Sequence, residues 1–314
     1  MKSLAKLEKI KGDASFREFY RNKENKSIVV ISRKEKLKNL LIYDAINKIL
    51  IKNKILAPSL LSENYLNNYI EIQDFGDQTL FKILKNKRIN KFNNFKKIVK
   101  ILNKIQLVKN KKIKNFKNKF YKVQKYKNKI LFDEAKLFCE WYVPKILSKE
   151  KSIKFKKKFK SEVKNLLSKL NYKNDTFVHR DFHVSNLMYC DKKIGLIDSQ
   201  DALIGNKAYD LASLIDDVRL KTSNKLKEKV FKFYISTNKK IELKKFQKDF
   251  HILSVLRNLK IIGIFTRLAL RDNKKKYLKL IPYAWEMINY RIKKQNELKN
   301  LMLLLRNNFP KSIR

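Results

Sequence analysis

The chain of 314 residues has a hydrophobic content of 44% and carries 76 Lys and Arg against 29 Asp and Glu, a formal net charge of +47. This length allows one large domain or two lobes around a cleft, and the hydrophobic content argues against global disorder. The basic residues are spread over almost every segment, so we favour compositional drift as the origin of the charge. A selected nucleic-acid surface, which would require clustering, is the less favoured alternative.

The cysteine content and the apolar runs indicate a cellular location. Cys139 and Cys190 are too few for a disulfide framework and suit a reducing cytosol. Lysines interrupt Met1–Lys11, so no secretion signal is predicted there. The most apolar run, Ile261–Leu270, contains Arg267 and is too short to span a bilayer. We therefore expect a cytoplasmic protein without a membrane partner.

The first predicted element is a strand, a turn and a second strand across Lys9–Val30. Glycine and small residues in the turn let the backbone approach a phosphate closely, as a glycine-rich cover loop does, although an ordinary hairpin turn would use the same residues. We place the nucleotide contacts of this turn at Gly12, Asp13, Ala14, Ser15 and Arg17.

The next strand, Ser27–Ser32, has no lysine in its interior. A protein kinase would place its phosphate-binding lysine inside this strand. Here Arg33 and Lys34 come only after the strand ends. The sequence therefore leaves the partner of the α- and β-phosphates unassigned.

A helix is predicted over Lys36–Lys52 and a strand over Tyr69–Phe75. Asp74-Phe75-Gly76 spells the metal-binding triplet of protein kinases, but it lies far upstream of the catalytic segment described below. We therefore interpret it as a hinge, where backbone groups of Gln73 and Phe75 contact adenine, and we do not expect Asp74 to bind metal.

The rest of the chain is predicted to be mostly helical. Thr79–Asn171 has apolar residues at helical spacing, except for an irregular segment at Lys109–Lys129, whose aromatic residues we expect to be core anchors rather than base-stacking groups. Towards the C-terminus we predict the following helices: Ala208–Leu220, Lys225–Ser236, Leu243–Leu270 and Leu278–Leu305.

The segment from Phe177 to Asp217 has the spacing of a phosphotransfer site. His179-Arg180-Asp181 leads to Asn186 at the interval found in kinase catalytic loops. A short hairpin follows, with strands Leu187–Cys190 and Lys193–Ile197, and Asp198 stands at its exit. Mg²⁺ prefers hard oxygen ligands. We therefore expect Asn186 and Asp198 to hold Mg²⁺, and Asp181 to accept the proton of the attacking hydroxyl.

The sequence allows two interpretations for other polar residues of this segment. His179 and His183 are four apart, a spacing that can hold zinc on a helix, but no metalloprotease glutamate accompanies them. We favour a structural role for His179 and a substrate or donor contact for His183. Asp216 and Asp217 are either exposed helix carboxylates or contacts of substrate hydroxyls.

These residues resemble the aminoglycoside phosphotransferase family. The likeness is densest over His179–Met188, Asp198–Ala202 and Tyr209–Leu211. Within that family, Gly12–Arg17 and Leu256–Leu268 are most similar to the bacterial cell-wall amino sugar kinases, which phosphorylate the anomeric hydroxyl of N-acetylmuramate and N-acetylglucosamine. Val184, where the family usually has proline, and Ser199, where it usually has phenylalanine, depart from the pattern without removing a ligand.

The resemblance implies an α+β, protein-kinase-like bilobal fold. It implies a small β-rich N-lobe over residues 1–76 and a larger, mostly helical C-lobe over residues 77–314, which carries the catalytic loop and the acceptor site. It also implies an ATP- and Mg²⁺-dependent kinase of cell-wall recycling, with Asp210 bracing the catalytic loop and Asp217 as a candidate contact of the sugar. Its partners would be a nucleotide and a sugar.

Three other functions stay open. The near alternative is a kinase for an aminoglycoside or a choline-like alcohol, although a net charge of +47 disfavours a cationic acceptor. The others are a basic nucleic-acid-binding protein on a kinase-like scaffold and a pseudokinase scaffold. The presence of Asp181, Asn186 and Asp198 argues against a pseudokinase.

Overall fold

The computed structural model describes residues 7–10 and 17–313. The predicted nucleotide contacts at Gly12, Asp13, Ala14 and Ser15 lie outside these ranges. Over the residues described, no helix is both long enough and apolar enough to cross a membrane.

The secondary structure alternates short strands with helices in its first part and is mainly helical later. The strands are β1 (Leu7–Ile10), β2 (Glu18–Asn22), β3 (Ser27–Ile31), β4 (Leu60–Asn64), β5 (Tyr69–Gln73), β6 (Lys112–Lys114), β7 (Phe120–Lys122), β8 (Thr176–Val178), β9 (Leu187–Cys190), β10 (Lys193–Leu196) and β11 (Leu203–Gly205). The helices are α1 (Lys38–Lys52), α2 (Leu80–Lys85), α3 (Lys91–Gln106), α4 (Asn128–Leu137), α5 (Val143–Ile146), α6 (Lys149–Ser168), α7 (Ala208–Ile215), α8 (Asn224–Ser236), α9 (Leu243–Arg271), α10 (Ile281–Ile292) and α11 (Lys299–Asn308).

The chain forms two compact units. Unit 1 comprises Met1–Gln124 and His179–Leu203, and unit 2 comprises Lys125–Val178 and Ile204–Arg314. The segment with the predicted catalytic residues Asp181, Asn186 and Asp198 therefore belongs to the same unit as the N-terminal strands. The lobe boundary after residue 76 does not coincide with this division and stays a prediction.

Unit 1 is built on a five-stranded antiparallel sheet with the order β1-β2-β3-β5-β4. The most apolar strand, β3, is central and pairs with β2 and β5. Strand residues two apart share one face of a sheet. The apolar face formed by alternate residues of β3 and β5 packs against α1, and together they form the core of unit 1. This core consists of Ile28, Val30, Leu40, Tyr43, Ile70 and Ile72.

The segment predicted to be irregular contains a hairpin of β6 and β7. Lys112 pairs with Lys122, and Lys114 pairs with Phe120. The Phe120 ring is 63% exposed and lies 4.4 Å from the Lys112 ammonium, so the expectation that it anchors the core is wrong. Phe120 occupies an outward position of β7, so that strand lacks the alternation of apolar and polar residues by which short strands are usually recognised, and each strand is only three residues long.

Unit 2 is organised around α9, which packs against α4, α7 and α10. This helix of 29 residues is buried along most of its length, as expected for a helix with apolar residues on every side. A Cβ atom at Gly263 would lie 2.4 Å from the backbone carbonyl carbon of Leu137. Glycine is therefore required where α9 meets the end of α4.

The predicted helices of unit 2 are confirmed with two changes of boundary. The helix predicted over Ala208–Leu220 ends at Ile215, and the one predicted over Leu278–Leu305 is two helices, α10 and α11. Asp216 leaves the helical conformation with φ −106° and ψ 35°. Its carboxylate then reaches groups on three other helices, so long-range contacts rather than local propensity end α7.

The Asp216 carboxylate is fully buried in an ionic cluster. It receives hydrogen bonds from Arg291 Nε at 2.7 Å, from Arg291 Nη2 at 3.0 Å and from Ser254 Oγ at 2.6 Å, and Lys227 Nζ lies 3.2 Å away. Burial alone would raise the pKa of Asp216, but Arg291 and Lys227 hold it below its ordinary value. The cluster joins α7 to α8, α9 and α10. Asp217 is also buried, so the interpretation of these two residues as exposed carboxylates is wrong.

We expect Asp216→Asn to destabilise the protein by about 3–5 kcal/mol, because it leaves two buried cations without their anion. The folded-state pKa of Asp216 lies below the unfolded value of about 3.9. The carboxylate therefore contributes its stability above a pH of about 4, and this contribution is lost as the pH falls through the folded-state pKa. Urea unfolding at several pH values measures both effects.

The control for this prediction is Glu150→Gln, which breaks an exposed ion pair with Lys154. Such a surface pair contributes about 0–1 kcal/mol. Equal losses in the two variants at neutral pH would contradict the role of the buried cluster.

Candidate active site

A buried histidine ties the start of the catalytic loop to the exit of β10. His179 Nε2 donates a hydrogen bond to the carbonyl oxygen of Ile197 at 3.2 Å. Burial lowers the pKa of His179 below its ordinary value, so the ring is neutral near pH 7. These contacts support the structural role predicted for this residue.

The loop turns sharply around the backbone of Asp181. The preceding residue, Arg180, has φ 73°, a left-handed conformation that is uncommon for a residue with a side chain. The Asp181 carbonyl oxygen accepts hydrogen bonds from the backbone N–H of His183 at 2.9 Å and from Asn186 Nδ2 at 3.1 Å. Backbone and side-chain contacts therefore fix the Asp181 position relative to Asn186.

The hairpin of β9 and β10 brings Asn186 close to Asp198. Leu187 pairs with Leu196, and the Ile197 N–H donates to the Asn186 carbonyl oxygen at 3.1 Å, which extends the ladder by one pair. Asp198 follows directly and has φ 62°. The two predicted metal ligands thus lie at the same end of one hairpin.

The donor set at this end of the hairpin suits Mg²⁺. Within the described part of the chain, neither Asn186 Oδ1 nor Asp198 Oδ2 accepts a hydrogen bond, and the Asp198 side chain is 38% exposed. A carboxylate and an amide oxygen are hard ligands of the kind that Mg²⁺ prefers. The described residues contain no group of three or more His, Cys, Asp or Glu side chains that could hold a metal, so the zinc interpretation gains no support there.

Arg17 pairs with the predicted metal ligand. Its Nη2 lies 2.6 Å from Asp198 Oδ1, and its Nη1 donates to Gln200 Oε1 at 2.8 Å. The Arg17 side chain is only 3% exposed. The sequence predicted a nucleotide role for Arg17 and placed Gln200 in the motif that begins at Asp198, but it did not predict that Gln200 contacts Arg17 and, through Nε2, Asp198.

Ser199, which departs from the family pattern, is hydrogen-bonded to a residue of α1. Ser199 Oγ donates to Asn47 Oδ1 at 2.5 Å, and both side chains are buried. Asn47 Nδ2 in turn donates to the carbonyl oxygen of Pro58 at 2.9 Å. The segment after Asp198 is therefore hydrogen-bonded to a helix that packs on the sheet.

The predicted hinge is held by an arginine. Both Asp74 oxygens accept from Arg21, with Nε at 2.6 Å and Nη2 at 3.2 Å, and Oδ1 also accepts from the Gly76 N–H. These contacts give Asp74 a structural partner, and the expectation that it does not bind metal stays a prediction. The Gln73 N–H is bonded to the Ser59 carbonyl oxygen at 2.9 Å.

The backbone of Phe75 differs from that of its neighbours. Its N–H and C=O form no backbone hydrogen bond with the residues that the structure describes. Its side chain is buried, and a Cβ atom at Gly195 would come within 2.7 Å of the Phe75 ring. The hinge ring therefore rests directly on the backbone of β10.

The remaining site candidates are buried. His183 is 6% exposed, with its Nε2 atom 3.4 Å from Asn186 Nδ2. Asp210 lies in the first turn of α7 in unit 2. Asp217, also in unit 2, accepts the Arg219 N–H at 3.0 Å through Oδ1. The roles predicted for Asp210 and Asp217 stay predictions.

Unit 1 alone assembles most of the predicted site. Hydrogen bonds, the Arg17 ion pair and the hairpin register bring together Arg17, Asp181, His183, Asn186 and Asp198. These residues come from two stretches of the chain, the residue directly before β2 and the segment from the predicted catalytic loop to Asp198 after the hairpin.

Solved structures with a similar fold are small-molecule kinases. A choline/ethanolamine kinase family protein from Mesorhizobium loti superposes with a TM-score of 0.62 at 12% identity, covering 96% of this chain and 92% of that one. An ADP-bound aminoglycoside phosphotransferase gives a TM-score of 0.61 at 16% identity, covering 90% and 94%. The predicted kinase-like α+β fold is confirmed.

The curated relatives have names that specify an acceptor sugar. The N-acetylmuramate/N-acetylglucosamine kinase of Neisseria meningitidis is 34% identical over 171 residues, which is 52% of this chain and 50% of that protein. The chain thus spans about half of this relative. The enzyme of the same name from Pseudomonas aeruginosa is 26% identical over 308 residues, covering 96% of this chain and 88% of that protein.

The family model described as "Phosphotransferase enzyme family" matches residues 6–242. The match includes the sheet of unit 1, the catalytic loop and the hairpin with Asp198, and it confirms the resemblance seen in the sequence. The chain therefore belongs to this phosphotransferase enzyme family.

Proposed function

We propose that the protein is an ATP- and Mg²⁺-dependent kinase that phosphorylates the anomeric hydroxyl of N-acetylmuramate or N-acetylglucosamine. The observation that supports phosphoryl transfer is the placement of Asn186 and Asp198 at one end of a hairpin, with the Asp181 backbone bonded to Asn186. The choice of acceptor rests on the similarity to the Neisseria and Pseudomonas enzymes.

In this proposal each group has a separate task. Asp181 accepts the proton of the sugar hydroxyl as its oxygen bonds to the γ-phosphorus and the bond to the ADP oxygen breaks. Asn186 and Asp198 would hold Mg²⁺, which when bound neutralises charge on the phosphate oxygens. The Phe75 backbone N–H and C=O are available for adenine, and Gly12–Ser15 would cover the phosphates.

In this proposal the neutral His179 ring and the buried contacts of the loop orient the base and the metal ligands. Because His179 Nε2 bonds to the residue before Asp198, and Asn186 Nδ2 bonds to Asp181, the base and the metal ligands keep a fixed relation before substrate binds. Such preorganisation lowers the barrier without a cost at the moment of reaction.

We expect Asp181→Asn to lower turnover by about 10²–10⁴-fold, because the amide keeps the shape of the carboxylate but does not accept the proton. Steady-state kinetics with ATP and N-acetylmuramate measure the effect. The matched control is Asp191→Asn in the exposed hairpin turn, which should keep full turnover. Near wild-type turnover of Asp181→Asn would show that another group is the base.

The metal assignment predicts opposite results for two aspartates. Asp198→Ala should abolish Mg²⁺-dependent activity and weaken Mn²⁺ binding by about tenfold or more, since even outer-shell groups of metal sites contribute about 10–100-fold. Asp74→Ala should leave the metal affinity unchanged, although it removes the ion pair with Arg21. Electron paramagnetic resonance of Mn²⁺, measured with ADP present, separates the two. Loss of metal binding in the Asp74 variant alone would overturn the assignment.

The acceptor assignment predicts that methyl glycosides of N-acetylmuramate and N-acetylglucosamine are not phosphorylated. An anomeric hydroxyl is more acidic than an ordinary alcohol, so a carboxylate base activates it more readily. The lactyl carboxylate of N-acetylmuramate is also attracted by a protein with a net charge of +47. Phosphorus NMR and mass spectrometry identify the products.

The comparison set for this experiment includes the free sugars, choline and an aminoglycoside. Equal phosphorylation of a free sugar and its methyl glycoside would mean that transfer goes to another hydroxyl. Turnover of choline or the aminoglycoside alone would replace the sugar assignment by the alcohol-kinase alternative.

A further inference from the structure

Strand β3 lacks the cation that a kinase-like site needs for the α- and β-phosphates of its donor. Its residues Ser27–Ile31 contain neither Lys nor Arg. Triphosphate groups carry several negative charges, and one metal ion with an amide and a carboxylate ligand does not balance them. A second cation close to Asp198 is therefore expected from another element.

Arg17, the residue directly before the neighbouring strand β2, meets this requirement. Among the described residues, it is the one Lys, Arg or His side chain in ion-pair contact with Asp198, at 2.6 Å. Arg17 directly precedes β2, and its guanidinium carbon lies 5.5 Å from the ring of Phe19, which packs against the core of unit 1. It thus reaches the inner face of the sheet, where β3 offers only apolar residues.

The surroundings of Arg17 hold the guanidinium in place before any ligand binds. The rings of Phe19 and Tyr43 each lie 5.5 Å from its central carbon, and Gln200 Oε1 accepts from Nη1. Burial raises the pKa of Tyr43 to about 12, so its phenol stays neutral beside the cation. The Arg17 side chain is only 3% exposed before a ligand binds, so exchange of one anionic partner for another adds little desolvation of the guanidinium.

The hydrogen bonds of Arg17 also allow its carboxylate partner to be replaced by a phosphate. Arg21 and Arg291 each give two nitrogens to one carboxylate, whereas Arg17 gives one to Asp198 and the other to the neutral amide of Gln200. A guanidinium fork fits two oxygens of a phosphate as well as those of a carboxylate. The ion pair of Arg17 with Asp198 therefore uses one nitrogen, and its partner carboxylate is partly exposed.

We propose that Arg17 replaces the missing strand lysine: it pairs with Asp198 in the free protein and transfers to the α- or β-phosphate of the donor when nucleotide binds. Asp198 is then released to the metal. The exchange keeps charge balanced in both states, since Arg17 compensates Asp198 before binding and a phosphate afterwards. It rests on the proposed function, because it requires a nucleotide as donor.

The test measures two binding constants that move in opposite directions in Arg17→Gln. Calorimetry should show ADP affinity falling by about 10–100-fold, the range for loss of charge-assisted hydrogen bonds, while adenosine, which has no phosphate, binds unchanged. Without nucleotide, Mn²⁺ should bind several-fold more tightly, because Arg17 no longer competes for Asp198. Damage to the fold would weaken the binding of all three ligands, ADP, adenosine and Mn²⁺.

Two further variants separate charge from structure. Arg17→Lys keeps the charge without the fork and should recover part of the ADP affinity. Arg21→Gln removes one charge from the adjoining strand β2. Arg21 contacts Asp74 and Asp77 instead of Asp198, so this variant should leave Mn²⁺ binding without nucleotide unchanged.

The outcomes distinguish this proposal from the proposed function. Unchanged ADP affinity in Arg17→Gln, or equal losses for ADP and adenosine, would overturn the role of Arg17 while the kinase proposal stands. Wild-type protein that binds neither ADP nor adenosine would overturn both.

Discussion

The register of one two-residue hairpin fixes the chemistry of the candidate site. Asp191 and Lys192 both have positive φ, 48° and 61°, which is the conformation of a type I′ turn that matches the twist of the flanking strands. This turn sets Leu187 opposite Leu196, and hence Asn186 opposite Ile197. A slip by one residue would move every side chain to the other face and separate the two oxygen ligands.

The charged residues on the surface of the protein differ from those in its interior. The lysines that produce the net charge of +47 lie mainly on exposed positions, whereas the carboxylates of Asp74, Asp198 and Asp216 each pair with an arginine. Guanidinium is less strongly hydrated than ammonium and presents several donors in a fixed plane, so it loses less on burial. A large excess of basic residues is thus compatible with a few well-defined internal ion pairs.

Local patterns predicted much of this structure, and long-range contacts account for what they missed. Helix α9 and the hairpin with Asp198 follow from apolar spacing and a turn of two polar residues, and both lie within a residue of the predicted bounds. The contact between Arg17 and Asp198 joins residues 181 apart, which no periodicity reveals. The end of α7 depends in the same way on Arg291. The β6–β7 hairpin was missed because its strands are three residues long and Phe120 lies on the outward side of β7.

The absence of a side chain at Gly195 lets the predicted hinge pack on the hairpin that carries the predicted metal ligands. The Phe75 ring rests on the β10 backbone, three residues before Asp198. Close-packed interiors are hardly compressible, so displacement of this ring is passed to the strand instead of being absorbed. The part of unit 1 that would receive a base and the strand that leads to Asp198 are therefore packed together at a single glycine, where any side chain would force them apart.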